Sequence, residues 1–341
     1  MQITIHKSNQ LKAIAILMML CLHLFNRDYN GLFTPLFFVG KQPLTYYVSL
    51  FSDACVPIFA FISGFGLYYK YKQDKEFYGL SIKHRIKKIY INYWIIVVLF
   101  AVVLGWVLGK EGYPGSFLKF ILNFLALDNS YNGAWWFLTI YLLFVISSRF
   151  WFSLLDRLNP IFYVGILLVL YCIAFYFRIY KTNVFDYAIL QWLHRYMALY
   201  FCTLFQFMLG AMALEYQWAE KIRPLFHKIH FNNFLGLGLI ILLIVFHGII
   251  PNFIIAPFTG LAFILIYVYL KTPIIVDRFL AFLNPHSTNM WLIHMFFYLI
   301  YFPKLIYGFK YPILIFSVLV SMCIFSSYIV NIIQNKIHKW L

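Results

Sequence analysis

The chain has 341 residues, of which 63% are hydrophobic and only 11% charged. A soluble domain carries about 25% charged residues, so a water-soluble globular fold is excluded and an integral membrane protein implied. The net charge of +16 does not signal a nucleic-acid face. Lys and Arg sit mostly in short loops beside apolar runs, where they set topology and meet anionic headgroups. The expected partner is the lipid bilayer, and no nucleic acid.

The N-terminal "MQITIHKSNQ" is too polar for a signal peptide, and no small-residue cleavage site follows the first apolar run. That run is therefore expected to stay in the mature protein. A span needs roughly 20 mostly apolar residues. This ruler gives ten candidates, at about 11–27, 45–69, 89–109, 134–152, 160–178, 197–215, 233–250, 252–270, 287–303 and 311–333. The apolar stretch 117–127 is too short to cross and is read as a re-entrant or surface piece. The expected fold is all-α and polytopic, a single domain over 1–341 with about ten transmembrane helices. With the N-terminus inside, 18 of the 27 Lys and Arg residues fall on the cytoplasmic side, Lys336 and Lys339 among them. That asymmetry puts both termini in the cytoplasm.

The first run, "LKAIAILMMLCLHLFN", carries two misfits, Lys12 and His23. Eleven helical positions turn about 1100°, within about 20° of three full turns, and rise about 16 Å. Both side chains thus share one face, with Lys12 near the cytoplasmic headgroups and His23 in the outer half. An ionisable group at that depth points to function; a snorkelling Lys and a packing His are the bland alternative. In the second run, "VPIFAFISGFGLYY", the pair Ser63-Gly64 permits close helix approach or a backbone break. Asp53 lies at the outer start of this run. It can face His23 across a hairpin and orient its imidazole as a triad carboxylate does, or it can be a solvated interfacial acid.

Between the second and third runs, "YYKYKQDKEFYGLSIKHRIKKIY" holds seven basic residues against two acidic ones. Arg85 and Lys88 are three apart and share a helix face. Such a pair grips phosphates or simply fixes topology. Trp135 and Trp136 open the fourth run in "NGAWWFL", as an outer aromatic belt would. In "NPHSTNMWLIH", Ser287 and His294 are seven apart and nearly on one face, as a functional pair or a polar packing pair. The spacing "HLFNRD" copies the H-x-x-x-x-D box of glycerolipid acyltransferases. Five helical positions turn about 500° and separate His23 from Asp28 around the axis, so this match is coincidence. Cys21, Cys55, Cys172, Cys202 and Cys323 occur singly inside apolar runs. They read as buried structural thiols, and neither metal nor disulfide roles are expected.

As an ordered set, these pieces resemble the acyltransferase-3 family of integral-membrane O-acyltransferases. The matching segments are a basic residue, ten residues and a His (Lys12 to His23), "FAFISGF", the basic pair Arg85 and Lys88, "WWFLTIYL" and "SxxMWLIH". Lys88 stands where many relatives carry a second Arg, Trp291 where Tyr is common, and Pro57 where an Asp often precedes the aromatic pair of the second span. The esterase-like domain fused to some relatives has no counterpart here. The resemblance implies an acyl group, acetyl above all, moved from cytoplasmic acyl-CoA to a sugar hydroxyl of a cell-surface or lipid-linked polysaccharide. It implies no bound cofactor, acetyl-CoA being a substrate, and a multi-pass place in the bacterial plasma membrane.

The same resemblance implies roles. Arg85 and Lys88, with Lys12 nearby, would meet the acyl-CoA phosphates. His23 would be the general base or a transient acyl carrier, with Asp53 as its catalytic partner. Ser63, Trp136, Ser287 and His294 would support the cavity. The competing class is a permease or exporter of glycan or lipid-linked sugar. Inverted halves and paired broken helices, its usual signs, are not visible in the sequence. A third reading is a different membrane acyltransferase fold that uses His294 as its base.

Overall fold

A computed structural model describes residues 3–338. Lys339, one of the basic residues placed in the cytoplasm, lies outside them. The first helix, α1, runs unbroken over Ile5–Phe25. Lys12 therefore sits two turns inside a helix rather than at its start. A loop carrying a two-residue antiparallel ladder, β1 (Phe38–Val39) and β2 (Gln42–Pro43), leads into α2, Leu44–Phe51. A single 3-10 turn, Ser52–Ala54, joins α2 to α3, Cys55–Gln73.

Helix α4 (Tyr78–Ile96) widens into a π-helical segment, Val97–Val103, and closes as α5, Leu104–Val107. The short apolar piece forms α6, Phe117–Phe124, whose first turn is capped by Ser116 accepting from the Lys119 amide. There follow α7 (Trp136–Arg157), α8 (Pro160–Ile179) and α9 (Ala188–Glu215). Asn159 caps α8, and Pro160 occupies its first position, where a missing N–H costs nothing. Then come α10 (Trp218–Lys228), α11 (Asn233–Ile249), α12 (Ala256–Tyr269) and α13 (Ile274–Leu283). The last elements are α14 (Ser287–Met295), a second π-helical segment (Phe296–Tyr301), α15 (Pro303–Gly308) and α16 (Pro312–His338).

The chain is thus all-α and polytopic. Among the described residues, seven helical runs are long and apolar enough to cross a membrane, or eight if a bent pair is one span. Of the ten runs expected, seven pass this length rule as single helical runs. The expected seventh span is α11, which with α10 makes the pair bent by 111°. The expected eighth is a 17-residue helical piece, Phe253–Tyr269. The expected ninth is the nine-residue α14 followed by six π-helical residues. A hydropathy ruler counts apolar runs, and these three runs fall short or bend.

The chain packs as two compact units. The first comprises the segment up to Leu11, Ala54–Ile82 and Ile140–Lys271. At its centre α3 and α9 approach so closely that only glycine fits at two points. A Cβ on Gly64 would lie 1.7 Å from Phe207 O, and one on Gly210 would lie 1.9 Å from Phe61 O. The Ser-Gly pair of the second run is therefore a helix-packing device, and Ser63 itself bonds Phe59 O one turn back at 2.7 Å. A polar cluster ties three helix ends in this unit. Tyr68 Oη lies 2.7 Å from both Asp156 and Glu215, its one hydrogen shared between them, and Lys72 donates to the same two carboxylates. Lys75 completes it at 2.5 Å from Asp156, and that hydrogen bond holds the Lys75 pKa above its usual value.

The second unit comprises Lys12–Asp53, Lys83–Thr139 and the segment from Thr272 onward. Its two π-helical segments face one another. Phe100 stacks on Phe296 with ring centres 5.4 Å apart, and Tyr301 donates to Phe100 O at 2.6 Å. A π turn leaves carbonyls out of the usual register, and a phenol satisfies one of them here.

Candidate active site

Eight of the nine residues singled out in the sequence fall in the second unit: Lys12, His23, Asp53, Arg85, Lys88, Trp136, Ser287 and His294. Ser63 belongs to the first unit. The juxtaposition that stands out is a pair of imidazoles. His23 Nδ1 lies 2.6 Å from His294 Nε2, and the two rings are nearly parallel, 7° apart with centres at 4.8 Å. Tyr298, one turn beyond His294, stacks alongside both at 6.4 and 6.0 Å.

Hydrogen-bond direction fixes the protons. His294 Nδ1 is 2.7 Å from Trp291 O and 3.2 Å from Met290 O. A carbonyl only accepts, so Nδ1 carries the hydrogen and the Nε2 of a neutral ring must accept. His23 Nδ1 therefore donates to it, and the remaining lone pair of His23 stands on Nε2. Among the described residues no hydrogen bond occupies that nitrogen. The pair thus presents one basic nitrogen backed by a chain of two hydrogen bonds ending on helix backbone. A triad carboxylate imposes the same tautomer on its histidine.

Local structure holds the pair in place. Trp135 Nε1 and Asn132 Nδ2 both donate to Leu292 O, at 2.8 and 2.9 Å. Trp291 Nε1 returns a bond to Ala134 O at 3.1 Å. Three bonds thus pin the start of α7 to α14 within a turn of His294, just before the backbone widens at Phe296. On α1, Arg27 donates to His23 O at 3.0 Å and leans over the Tyr307 ring at 5.8 Å. Asp28 accepts from Gln42 at 2.9 Å in the following loop, so "HLFNRD" is not a catalytic box.

The other expected residues sort differently. Asp53 sits in the 3-10 turn between α2 and α3, ten residues into a helical run rather than at its start. The His23 nitrogen it was expected to orient is taken by His294. Ser287, the first residue of α14, donates to Leu283 O at the end of α13, and both His294 nitrogens are occupied elsewhere. Trp136 is half-buried and packs edge-on against Phe137 at 5.6 Å, and its neighbour Trp135 is buried. Arg85 is half-buried on α4 and Lys88 is exposed. Lys12 lies within reach of the Arg85 charge. The guanidinium fork of Arg85 and the ammonium of Lys12 are groups of the kind that take phosphate oxygens.

Sequence reasoning missed Trp135, Asn132, Arg27 and Tyr298. Tyr298 and Arg27 left a signal, a four-residue spacing from His294 and from His23.

The model of the acyltransferase-3 family, described as an acyltransferase domain, matches residues 5–331. The chain belongs to that family. The match takes in both ring partners, the basic pair and the Trp135 segment. Comparison with curated proteins and with solved structures returned no match. The chain is accordingly a multi-pass membrane acyltransferase.

Proposed function

We propose that this membrane acyltransferase moves an acetyl group from cytoplasmic acetyl-CoA to a sugar hydroxyl of a cell-surface or lipid-linked polysaccharide, at a bacterial plasma membrane. The observation that carries the reading is the lone pair on His23 Nε2, enforced through His294 by the Trp291 carbonyl.

In the reaction, the acceptor hydroxyl gives its proton to His23 Nε2 as its oxygen bonds to the thioester carbonyl carbon. The resulting imidazolium keeps its Nδ1–H on His294 Nε2, a charge-assisted bond stronger than the resting one. Collapse of the tetrahedral centre breaks the C–S bond, and the leaving thiolate takes the proton back from His23. Arg85, Lys88 and Lys12 hold the donor phosphates on the cytoplasmic side. His23 lies about 16 Å further along the same face of α1 as Lys12. One helix face thus links a cytoplasmic donor to an acceptor on the outer side.

Mass spectrometry of surface glycans from cells with and without the protein tests this. Loss of an acyl mass from an otherwise intact polymer supports the transferase. Loss of the polymer itself points instead to an exporter.

A further inference from the structure

Helix α10, in the first unit, has only 11 residues and carries Glu220, Lys221, Arg223, His227 and Lys228. It is too charged to enter hydrocarbon. Its first residue, Trp218, follows closely on Glu215, where α9 ends. Glu215 is paired with Lys72, at the end of the unit that also holds Lys70 and Lys75. By the positive-inside rule that basic end is the cytoplasmic one. The next helix, the apolar α11, is bent by 111° from α10. With α11 standing across the bilayer, α10 lies along the bilayer surface.

Around its axis α10 divides into four faces. Trp218, Ile222, Leu225 and the closing Ile229 fall within about 60° of one another. Trp218 and Ile222 are half-buried, whereas Leu225 is 58% and Ile229 45% exposed. On one flank of this apolar stripe the helix is seated on α12. The Phe226 ring stacks on Tyr269 at 4.5 Å, and Tyr269 donates to Ala219 O. On the other flank stand Lys221 and Lys228, both exposed and nearly in line. Lys221 passes over the Tyr216 ring at 5.9 Å. Among the described residues neither lysine forms an ion pair. Glu220, Arg223 and His227 occupy the face opposite the stripe, and all three are exposed.

The order of these faces says what covers the stripe. An apolar strip opposite a charged face, on a helix parallel to the bilayer, sinks to the boundary of headgroups and acyl chains. With the stripe in lipid and the charged face in water, the seat on α12 points into the unit. The two lysines then point away from it, level with the headgroups. Their charge complements an anionic headgroup. A second copy docked two-fold on the same stripe would instead set like charges together.

We infer that α10 is an anionic-lipid site, in which Leu225 and Ile229 enter the acyl chains while Lys221 and Lys228 hold the headgroup phosphate. The inference concerns contact with the bilayer and stands apart from the acyl-CoA reading above.

The test places the photoreactive residue benzoylphenylalanine at position 225 of the full-length chain. The protein is held in nanodiscs of phosphatidylcholine with a minor share of phosphatidylglycerol, irradiated, and its adducts weighed by mass spectrometry. Lipid adducts are expected, with phosphatidylglycerol enriched roughly fivefold or more over its share of the bilayer, the effect of one surface lysine. The same label at position 229 is expected to agree, and at position 223, on the opposite face, to give no lipid adduct. Lys221→Gln combined with Lys228→Gln is expected to keep the lipid adducts and return their headgroup ratio to that of the bilayer. Three results overturn the inference with both lysines in place: crosslinks from 225 and 229 to a second copy, no lipid adduct at either position, or adducts at the bulk ratio. Undiminished enrichment in the folded double variant overturns it as well.

Discussion

Replacing His294 by Phe keeps a flat ring beside Tyr298 but removes the acceptor that lies 2.6 Å from His23 Nδ1. In the resting enzyme the lost bond joins two neutral rings. In the transition state it is made to an imidazolium, and hydrogen bonds to charged groups contribute about 1.5–3 kcal/mol. If that difference appears only as charge develops, kcat falls roughly 10- to 150-fold while the KM for acetyl-CoA is little changed. His294→Gln places a carboxamide oxygen near the position of Nε2, so it is expected to recover most of the loss. The assay is steady-state transfer from labelled acetyl-CoA in membranes, with each variant's amount and integrity checked by detergent gel filtration. A properly folded His294→Phe with wild-type kcat would refute the reasoning. So would Gln and Phe variants impaired to the same extent.

Three further outcomes follow from the geometry. Arg85→Ala removes a guanidinium fork from the donor's phosphates and is expected to raise the acetyl-CoA KM about tenfold or more, with kcat at saturation nearly kept; titration of initial rates against donor concentration separates the two. Trp135→Phe breaks a bond to Leu292 O beside the π-helical turn and is expected to lower both thermal stability, by about 1 kcal/mol, and kcat, each measured against wild type. Gly64→Ala drives a methyl into the Phe207 backbone and is expected to cost about 3 kcal/mol or more, read as loss of folded protein on heating in detergent.

What the sequence disclosed and what it hid follow from the range of each signal. Helices and their apolar faces are local, so the unbroken α1 and the shared face of Lys12 and His23 were legible from periodicity alone. Whether an apolar run is also long and straight enough to cross depends on bends, as between α10 and α11, and hydropathy does not report bends. The meeting of His23 with His294 was not legible for a physical reason. Asp53 is near in sequence, while His294 lies 271 residues away and meets His23 only through folding. Neighbouring helical residues point about 100° apart. Of two adjacent tryptophans, only one can therefore turn to α14, and composition does not say which.

The most direct test of the central claim uses membrane vesicles turned inside out, so that the donor side faces the medium, loaded with acceptor glycan and supplied with labelled acetyl-CoA. Wild-type protein is expected to label the enclosed glycan, and His23→Ala, present at the same level in the same vesicles, is expected to leave it unlabelled. Undiminished labelling by His23→Ala would contradict the assignment of His23 as the base that accepts the hydroxyl proton.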